Sequence, residues 1–195
     1  MCRRAAPSFQ RAVAYGAYDG KLRDLIHLLK YQQIKPVAPL LGRLLAETVA
    51  QVDIAESLVV IPVPLFKRKL RERGFNQAEE IARAFVNREV LRGIKIDASS
   101  LVRVRETASQ TGLTRHQRRA NLRGAFAVAR PERIDRRSVL LMDDVMTTGT
   151  TAGECSRVLL RAGAKQVFVA TVARATREVE FELPEPEFVA HAAHG

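Results

Sequence analysis

The chain has 195 residues, of which 47% are hydrophobic and 27% charged, which is typical of a folded protein and excludes a disordered one. No apolar run approaches the ~20 residues that a membrane span needs, and the first residues form no signal-peptide core, so we expect a cytoplasmic protein. The two cysteines, Cys2 and Cys155, are too few for a disulfide framework or for a cysteine-rich zinc site of their own.

The charge is strongly positive and unevenly distributed. Lys and Arg number 32 against 21 Asp and Glu, which gives a net charge of +11. Residues 175–195 hold one Arg and five Glu, a net −4, which leaves +15 on residues 1–174. A basic body predicts an anionic partner, either a polyphosphate ligand or nucleic acid. A basic surface that serves only solubility stays an alternative.

The first part of the chain alternates strand and helix patterns. A short β-prone stretch at 13–18 precedes two helices, in which apolar residues recur at helical spacing over 22–29 and 37–45. The continuous apolar run 58–63 predicts a buried parallel strand, and we expect a loop after it.

The remainder continues this alternation. Asn76 predicts the cap of a helix, with Glu79 three residues on as its capping-box partner. A polar, Arg-rich segment covers 105–123, and a helix between the last two strands ends near Ala162, with Gly163 as its stop. Strand, helix and strand at this spacing form a βαβ unit, so we expect an α/β fold with a largely parallel sheet. The strands predicted here are residues 101–104, 125–128, 139–142 and 166–173.

The most informative segment is 138–151, in which an apolar strand ends in Asp143 and Asp144. Open α/β sheets bind ligands at the carboxyl ends of their strands. Small hydroxyl residues and a glycine then open a helix, where free backbone N–H groups and the positive dipole end attract an anion. An acid pair beside a phosphate cradle suits a ribose 5-phosphate, because carboxylates accept hydrogen bonds from vicinal hydroxyls or hold Mg²⁺ through them. The turn consists of Thr147, Thr148, Gly149, Thr150 and Thr151.

Three other interpretations of this segment are weaker. A P-loop nucleotidase also carries an acidic residue after an apolar strand, but the chain contains no Gly-x4-Gly-Lys-Ser/Thr motif. An aspartyl phosphatase would space its two aspartates one residue apart, whereas Asp143 and Asp144 are adjacent. An ordinary strand-to-helix loop does not need four threonines, a glycine and two aspartates within nine residues.

Segment 138–151 resembles the 5-phosphoribosyl-1-pyrophosphate (PRPP) motif of type I phosphoribosyltransferases. The resemblance implies that Asp143 and Asp144 are the catalytic carboxylates and contact the ribose hydroxyls, while Met146 to Thr151 hold the 5-phosphate. It implies Mg²⁺ as the cofactor, bound through both carboxylates and PRPP. It further implies the type I phosphoribosyltransferase fold, a mostly parallel twisted sheet flanked by helices, with a mobile loop.

Three further segments point to one family. They are Pro62-Val-Pro64 with the basic run that leads to Glu79, Gln110-x2-Leu113-x4-Arg118-x2-Asn121-x4-Phe126, and Leu22-Arg23-x2-Ile26-His27-x2-Lys30-Tyr31. They resemble the ComF family, also called competence protein F or GntX-like, in which a four-cysteine zinc module precedes this domain. We therefore expect a remnant of that module at 1–8, a phosphoribosyltransferase-like domain at 9–174 and an acidic tail at 175–195. Cys2 alone predicts no metal site.

Two Arg-rich segments are candidates for further ligand contacts. Lys67 to Arg73 places five cations and one anion directly after a strand, at the sheet edge that carries the acid pair. In a pyrophosphate loop, Arg68, Arg71 and Arg73 would hold the leaving group, whereas the alternative is a solvated basic loop. By resemblance, 105–119 is the mobile loop that closes over the substrate. Its candidates for contact with pyrophosphate or a nucleic-acid backbone are Gln110, Arg115, Arg118 and Arg119.

The resemblance implies a phosphoribosyltransferase that displaces pyrophosphate from PRPP, is linked to competence and DNA uptake, and forms a homodimer. One alternative is a single-stranded-DNA-binding protein of the competence machinery on the same fold. Another is a PRPP sensor that does not turn its ligand over. Asp143 and Asp144 would repel a phosphate backbone, so their presence beside the threonine turn favours PRPP binding.

Overall fold

The computed structural model describes residues 8–51, 58–87, 93–107 and 114–175, with the side chains of Arg115 and His116 excepted. The strands are β1 (Arg11–Ala17), β2 (Leu58–Pro62), β3 (Lys95–Ile96), β4 (Leu101–Arg103), β5 (Phe126–Val128), β6 (Ser138–Met146) and β7 (Gln166–Arg174). The helices are α1 (Gly20–Tyr31), α2 (Ala38–Val49), α3 (Lys67–Arg73), α4 (Gln77–Val86), α5 (Arg115–Leu122) and α6 (Thr150–Arg161).

Five strands form one parallel sheet in the order β1-β7-β6-β2-β3, and β4 pairs with β5 in a separate antiparallel ribbon. The central strand β6 is buried on both faces, as its continuous apolar sequence predicts. Leu140 and Met142 pack on the side of α1, α2 and α4, whereas Val139 and Leu141 pack on the side of α6. The predicted α/β fold with a parallel sheet flanked by helices is confirmed.

Helices occupy the predicted loop after β2 and part of the Arg-rich segment 105–123. Residues 67–73 form α3, because Lys, Arg and Leu favour the helix and Gly74 ends it with φ +74°, where its N–H bonds the Leu70 carbonyl. Within 105–123 the chain forms α5, which begins with a capping box made by Thr114 and Gln117. The prediction of a loop was therefore wrong for 67–73. In the Arg-rich segment, α5 covers the last part of the stretch that resembles the mobile loop.

The predicted cap of α4 is confirmed, but its capping box is not formed. The Asn76 side chain accepts the Ala78 N–H at 3.1 Å and donates to the Val63 carbonyl at 3.0 Å. Glu79 instead accepts from Arg83, with Nη2 2.6 Å from Oε1. Asn76 therefore ties the start of α4 to the end of β2, which fixes the basic segment between them.

Some predictions lie outside the described residues, namely those for Gln110, for residues 1–7 and for residues 176–195. Within the described ranges, no helix is both long and apolar enough to cross a membrane.

Candidate functional site

The two adjacent aspartates of β6 face opposite sides of the sheet, because successive side chains of a strand alternate. Asp143 lines a cleft on the side of α6. Asp144 lies on the other side, where it is 8% exposed and binds Lys30 of α1. The structure thus gives the two carboxylates of the predicted pair different surroundings.

Lys30 and Asp144 form a mostly buried ion pair. Nζ of Lys30 lies 2.9 Å from Oδ1 of Asp144. Burial alone would lower the pKa of Lys30, but the charge and hydrogen bond of Asp144 outweigh it, and the pKa is raised. The lysine therefore stays charged, neutralises Asp144 and fixes the orientation of its carboxylate.

Asp143 is the less compensated of the two carboxylates. Burial, followed by the negative charge of Asp144, raises the pKa of Asp143 to about 7. Lys30 and Arg103 act in the opposite direction, as does the Asp144 N–H, which donates to Oδ1 of Asp143 at 2.9 Å. A ligand that brings hydrogen-bond donors or a cation would stabilise the charged form of this carboxylate.

The predicted phosphate turn shares the cleft with Asp143. Gly149 has φ +71°, a left-handed conformation that favours glycine, and α6 begins at the next residue. The hydroxyls of Thr148 and Thr150 lie 2.7 Å apart. The first N–H groups of α6 lack intrahelical partners, so backbone donors, hydroxyls and the positive end of the dipole all meet here. The predicted phosphate ligands that line the cleft are Met146, Thr147, Thr148, Gly149, Thr150 and Thr151.

Helix α5 brings one predicted cation to this turn. Nη1 of Arg118 donates to the Thr147 hydroxyl at 2.9 Å. Arg105 donates to the carbonyls of Asn121 and Arg123 at 2.7 and 2.9 Å, which ties the start of the Arg-rich segment to the end of α5. Of the other candidates in this segment, Arg119 is exposed, and the Arg115 side chain lies outside the described residues.

The three predicted pyrophosphate ligands all lie on α3, directly after β2. Arg68 binds Glu106 at 2.5 Å, and the guanidinium of Arg73 lies over the Tyr31 ring, 5.7 Å from its centroid. Arg71 is exposed. Because β2 and β6 are parallel neighbours, α3 starts at the same sheet edge as Asp143. The structure therefore brings these cations to the predicted edge, with Arg68 and Arg73 already engaged by protein groups.

Three residues near the acid pair were not predicted from the sequence. Lys30 was named only as part of a ComF-like segment, and its position four residues after Ile26, on the apolar stripe of α1, was a second signal. Thr171 is a single hydroxyl within the apolar strand β7, and its closeness to Asp143 depends on strand register. Arg103, on the short strand β4, is partly buried, and this burial lowers its pKa.

The sequence predicted no metal site made by the protein alone. In the described part of the chain, no three His, Cys, Asp or Glu residues cluster as ligands for an ion. Cys155 was predicted to be a core residue and is fully buried, and burial, followed by the charge of Asp143, raises the pKa of its thiol well above the usual value.

Comparisons with known proteins extend this description. No protein-family model matches the chain. Among solved structures, a glutamine PRPP amidotransferase from B. subtilis aligns with a TM-score of 0.45 and 20% identity over 69% of this chain and 26% of its own. A hypoxanthine phosphoribosyltransferase from Staphylococcus aureus aligns with a TM-score of 0.41 and 12% identity, over 76% of this chain and 71% of its own.

Two curated relatives are similar over most of the sequence. DNA utilization protein YhgH of Salmonella typhi is 33% identical over 172 residues, which are 86% of this chain and 74% of the relative. Competence protein F of Haemophilus influenzae is 34% identical over 183 residues, 89% of this chain and 77% of the relative. The chain therefore belongs to the family of competence protein F and DNA utilization protein YhgH, the ComF family.

Proposed function

We propose that the chain binds PRPP in the cleft between Asp143 and the threonine turn and transfers its phosphoribosyl group to a nitrogen nucleophile. One observation carries the proposal: a single cleft is lined both by a half-buried carboxylate, that of Asp143, and by the first turn of helix α6. A matching ligand has hydroxyls at one end and a phosphate at the other, as ribose 5-phosphate has. The resemblance of 138–151 to the PRPP motif and the membership of the ComF family support this choice.

In this reaction the bond between C1 of the ribose and the pyrophosphate oxygen breaks, and pyrophosphate leaves with the electron pair. The acceptor nitrogen forms the new bond to C1 and then loses a proton to solvent. Positive charge develops on the ribose ring, where the carboxylate of Asp143 stabilises it. On the other side of the sheet, Lys30 keeps the second carboxylate, Asp144, in a fixed orientation.

The departing pyrophosphate develops negative charge that needs compensation. The cations of α3, which start at the neighbouring strand end, would supply it. Arg118 at the turn would contact a phosphate oxygen in exchange for the Thr147 hydroxyl, and α5 would keep water from the reacting carbon. The residues proposed to hold pyrophosphate are Arg68, Arg71, Arg73 and Arg115.

The donor set of the cleft fits Mg²⁺ that arrives with a polyphosphate. Mg²⁺ is bound through one or two carboxylates together with phosphate oxygens, and it keeps several waters. Asp143 is the carboxylate that lines the cleft, whereas Asp144 lies on the other side of the sheet, where Lys30 neutralises it. Asp143 would therefore hold the ion together with phosphate oxygens. When bound, Mg²⁺ supplies additional neutralisation of the pyrophosphate charge.

The test is a calorimetric titration of PRPP, with and without Mg²⁺, into the wild type and Asp143→Asn. Asn keeps the shape of the side chain but removes the charged acceptor of the ribose hydroxyls, so we expect affinity to fall roughly 30- to 100-fold. Asp135→Asn is the matched control, because this exposed aspartate lies before the opposite end of β6. It should bind PRPP like the wild type.

Either of two results would overturn the proposal: no binding by the wild type at millimolar PRPP, or equal binding by Asp143→Asn. If PRPP binds and Asp143→Asn weakens the binding, release of pyrophosphate from PRPP on addition of nitrogen acceptors would establish transfer. Binding of PRPP without release of pyrophosphate in the presence of any acceptor would instead favour the PRPP sensor.

A second candidate function is binding of single-stranded DNA, favoured by an aromatic and basic surface beside the site. The Tyr31 ring is 57% exposed and lies under the Arg73 guanidinium. The cations of α3 lie close to one another: burial, followed by the neighbouring charge of Arg73, lowers the pKa of Lys69. An exposed aromatic ring beside crowded cations suits a base and its phosphate. The names of the relatives above refer to DNA utilization and competence.

This candidate predicts a difference between two exposed tyrosines. We expect Tyr31→Ala to weaken binding of an oligothymidylate about tenfold, since stacking on one base contributes on the order of 1–3 kcal/mol. Tyr15→Ala, on β1 and 44% exposed, is the control and should bind like the wild type. Fluorescence anisotropy over a salt series measures both. Equal binding by the two variants would reject Tyr31 as a stacking platform.

A further inference from the structure

Thr171 has a buried hydroxyl for which the described part of the chain provides no partner. The residue is 1% exposed, and its Oγ1 has no hydrogen-bond partner among the residues that the structure describes. It lies directly opposite Asp143 in the register of β6 and β7 and lines the same cleft. Buried polar atoms in folded proteins nearly always have a partner, so an unpartnered one requires a specific reason.

Packing does not supply that reason. Val169, Ala170 and Val172, the neighbours of Thr171 on β7, are buried and apolar. A valine would fill nearly the same volume as Thr171, keep the branched side chain that a strand favours, and leave no polar atom unsatisfied. A threonine hydroxyl without a partner at this position thus carries an energetic cost that a valine would avoid.

The position of the hydroxyl separates it from other unpartnered groups. Among the described residues, three other buried side-chain atoms also lack a partner, but none of their residues lines the cleft. They are Ser156 Oγ, the Gln77 amide nitrogen and Arg103 Nε. Of the unpartnered buried side chains in the described ranges, only Thr171 lines it. Its location points to a role in the ligand-bound state.

We infer that Thr171 is a positioning residue of the PRPP site, whose hydroxyl donates to the Asp143 carboxylate once the ribose is bound. In the structure, Oδ1 of Asp143 accepts the Asp144 N–H at 2.9 Å. Ribose hydroxyls draw the carboxylate into the cleft, and a carboxylate with several lone pairs accepts an additional donor from the facing strand. This inference rests on the proposed function.

The test combines PRPP affinity with the stability of the ligand-free protein. In Thr171→Val we expect the Kd for PRPP with Mg²⁺ to rise about tenfold, the effect of one hydrogen bond to a charged group. The melting temperature without ligand should stay equal or increase, because the unpartnered hydroxyl is gone. Thr171→Ser keeps the donor and should bind within about twofold of the wild type.

Ser156→Ala is the matched control, because it removes a buried unpartnered hydroxyl outside the cleft and should leave the Kd unchanged. An unchanged Kd in Thr171→Val overturns the inference and leaves PRPP binding standing. A clearly lower melting temperature or loss of folding in Thr171→Val also overturns it, because the hydroxyl would then serve the ligand-free fold. Absence of PRPP binding by the wild type rejects the proposed function and this inference together.

Discussion

Two aspartates at strand ends, Asp97 and Asp143, have pKa values that shift in opposite directions. Asp97 follows β3, and its carboxylate accepts hydrogen bonds from the hydroxyls and backbone N–H groups of Ser99 and Ser100. Burial acts to raise its pKa, but these bonds outweigh burial and the pKa is lowered. At Asp143, burial and the charge of Asp144 act together and raise the pKa to about 7.

The difference lies in the supply of hydrogen-bond donors. The protein itself provides four donors to Asp97, so this acid is satisfied before any ligand arrives and stabilises a turn. Asp143, in contrast, accepts the backbone N–H of the next residue, Asp144. Under the proposed function, ribose hydroxyls would do for Asp143 what the two serines do for Asp97.

Asp144 is stabilised in a third way, by its ion pair with Lys30. Removal of this ion pair should have the largest effect on stability. Lys30→Met leaves a mostly buried carboxylate without its counter-charge, and we expect the free energy of unfolding to fall by about 3 kcal/mol. In Lys30→Met/Asp144→Asn, most of this loss should be recovered, because no uncompensated charge remains. Urea unfolding of the two variants and the wild type measures both effects.

Lys35→Met is the control for this prediction. Its ion pair with Glu80 is longer, at 3.8 Å, and more exposed, so we expect its removal to cost less than about 1 kcal/mol. If Lys30→Met were as stable as Lys35→Met, or if the double variant were no more stable than Lys30→Met, the buried pair would have no special role.

Local signals were sufficient for the centre of the site. The apolar run of β6, the aspartates at its end and Gly149 before α6 follow from residue types and their order, and the structure has the strand, turn and helix that they predict. The surroundings of the aspartates did not follow, because Lys30 approaches from a helix more than a hundred residues earlier in the chain. Thr171 is likewise placed by strand register, which a single sequence does not reveal.

The basic segments show a different limit. The segment after β2 was predicted to be a loop, yet Lys and Arg have good helix propensity, and α3 and α5 have ordinary helix ends at Gly74 and Thr114. The positive charge of these segments is compatible with either a loop or a helix. The sequence did predict where the first segment lies, because α3 follows a strand that ends beside β6.

Removal of the charge at Asp97 should have a smaller effect, confined to stability. Asp97→Asn weakens hydrogen bonds to a charged acceptor, and we expect a loss of about 1–2 kcal/mol at neutral pH with PRPP affinity unchanged. Because the folded pKa of Asp97 lies below its unfolded value, its contribution is present above pH ~4 and disappears as the pH falls through the folded pKa. The gap between wild type and variant should therefore close in acid.

Unfolding in urea between pH 6 and pH 2 measures this gap, with exposed Asp135→Asn as the control. A constant difference across this range would mean that packing, not the charge of Asp97, stabilises the turn. A change in PRPP affinity in Asp97→Asn would contradict the comparison more directly. It would show that Asp97, whose carboxylate already accepts hydrogen bonds from Ser99 and Ser100, still affects the affinity for PRPP. The number of hydrogen bonds from the protein would then no longer distinguish a structural aspartate from a ligand-binding one.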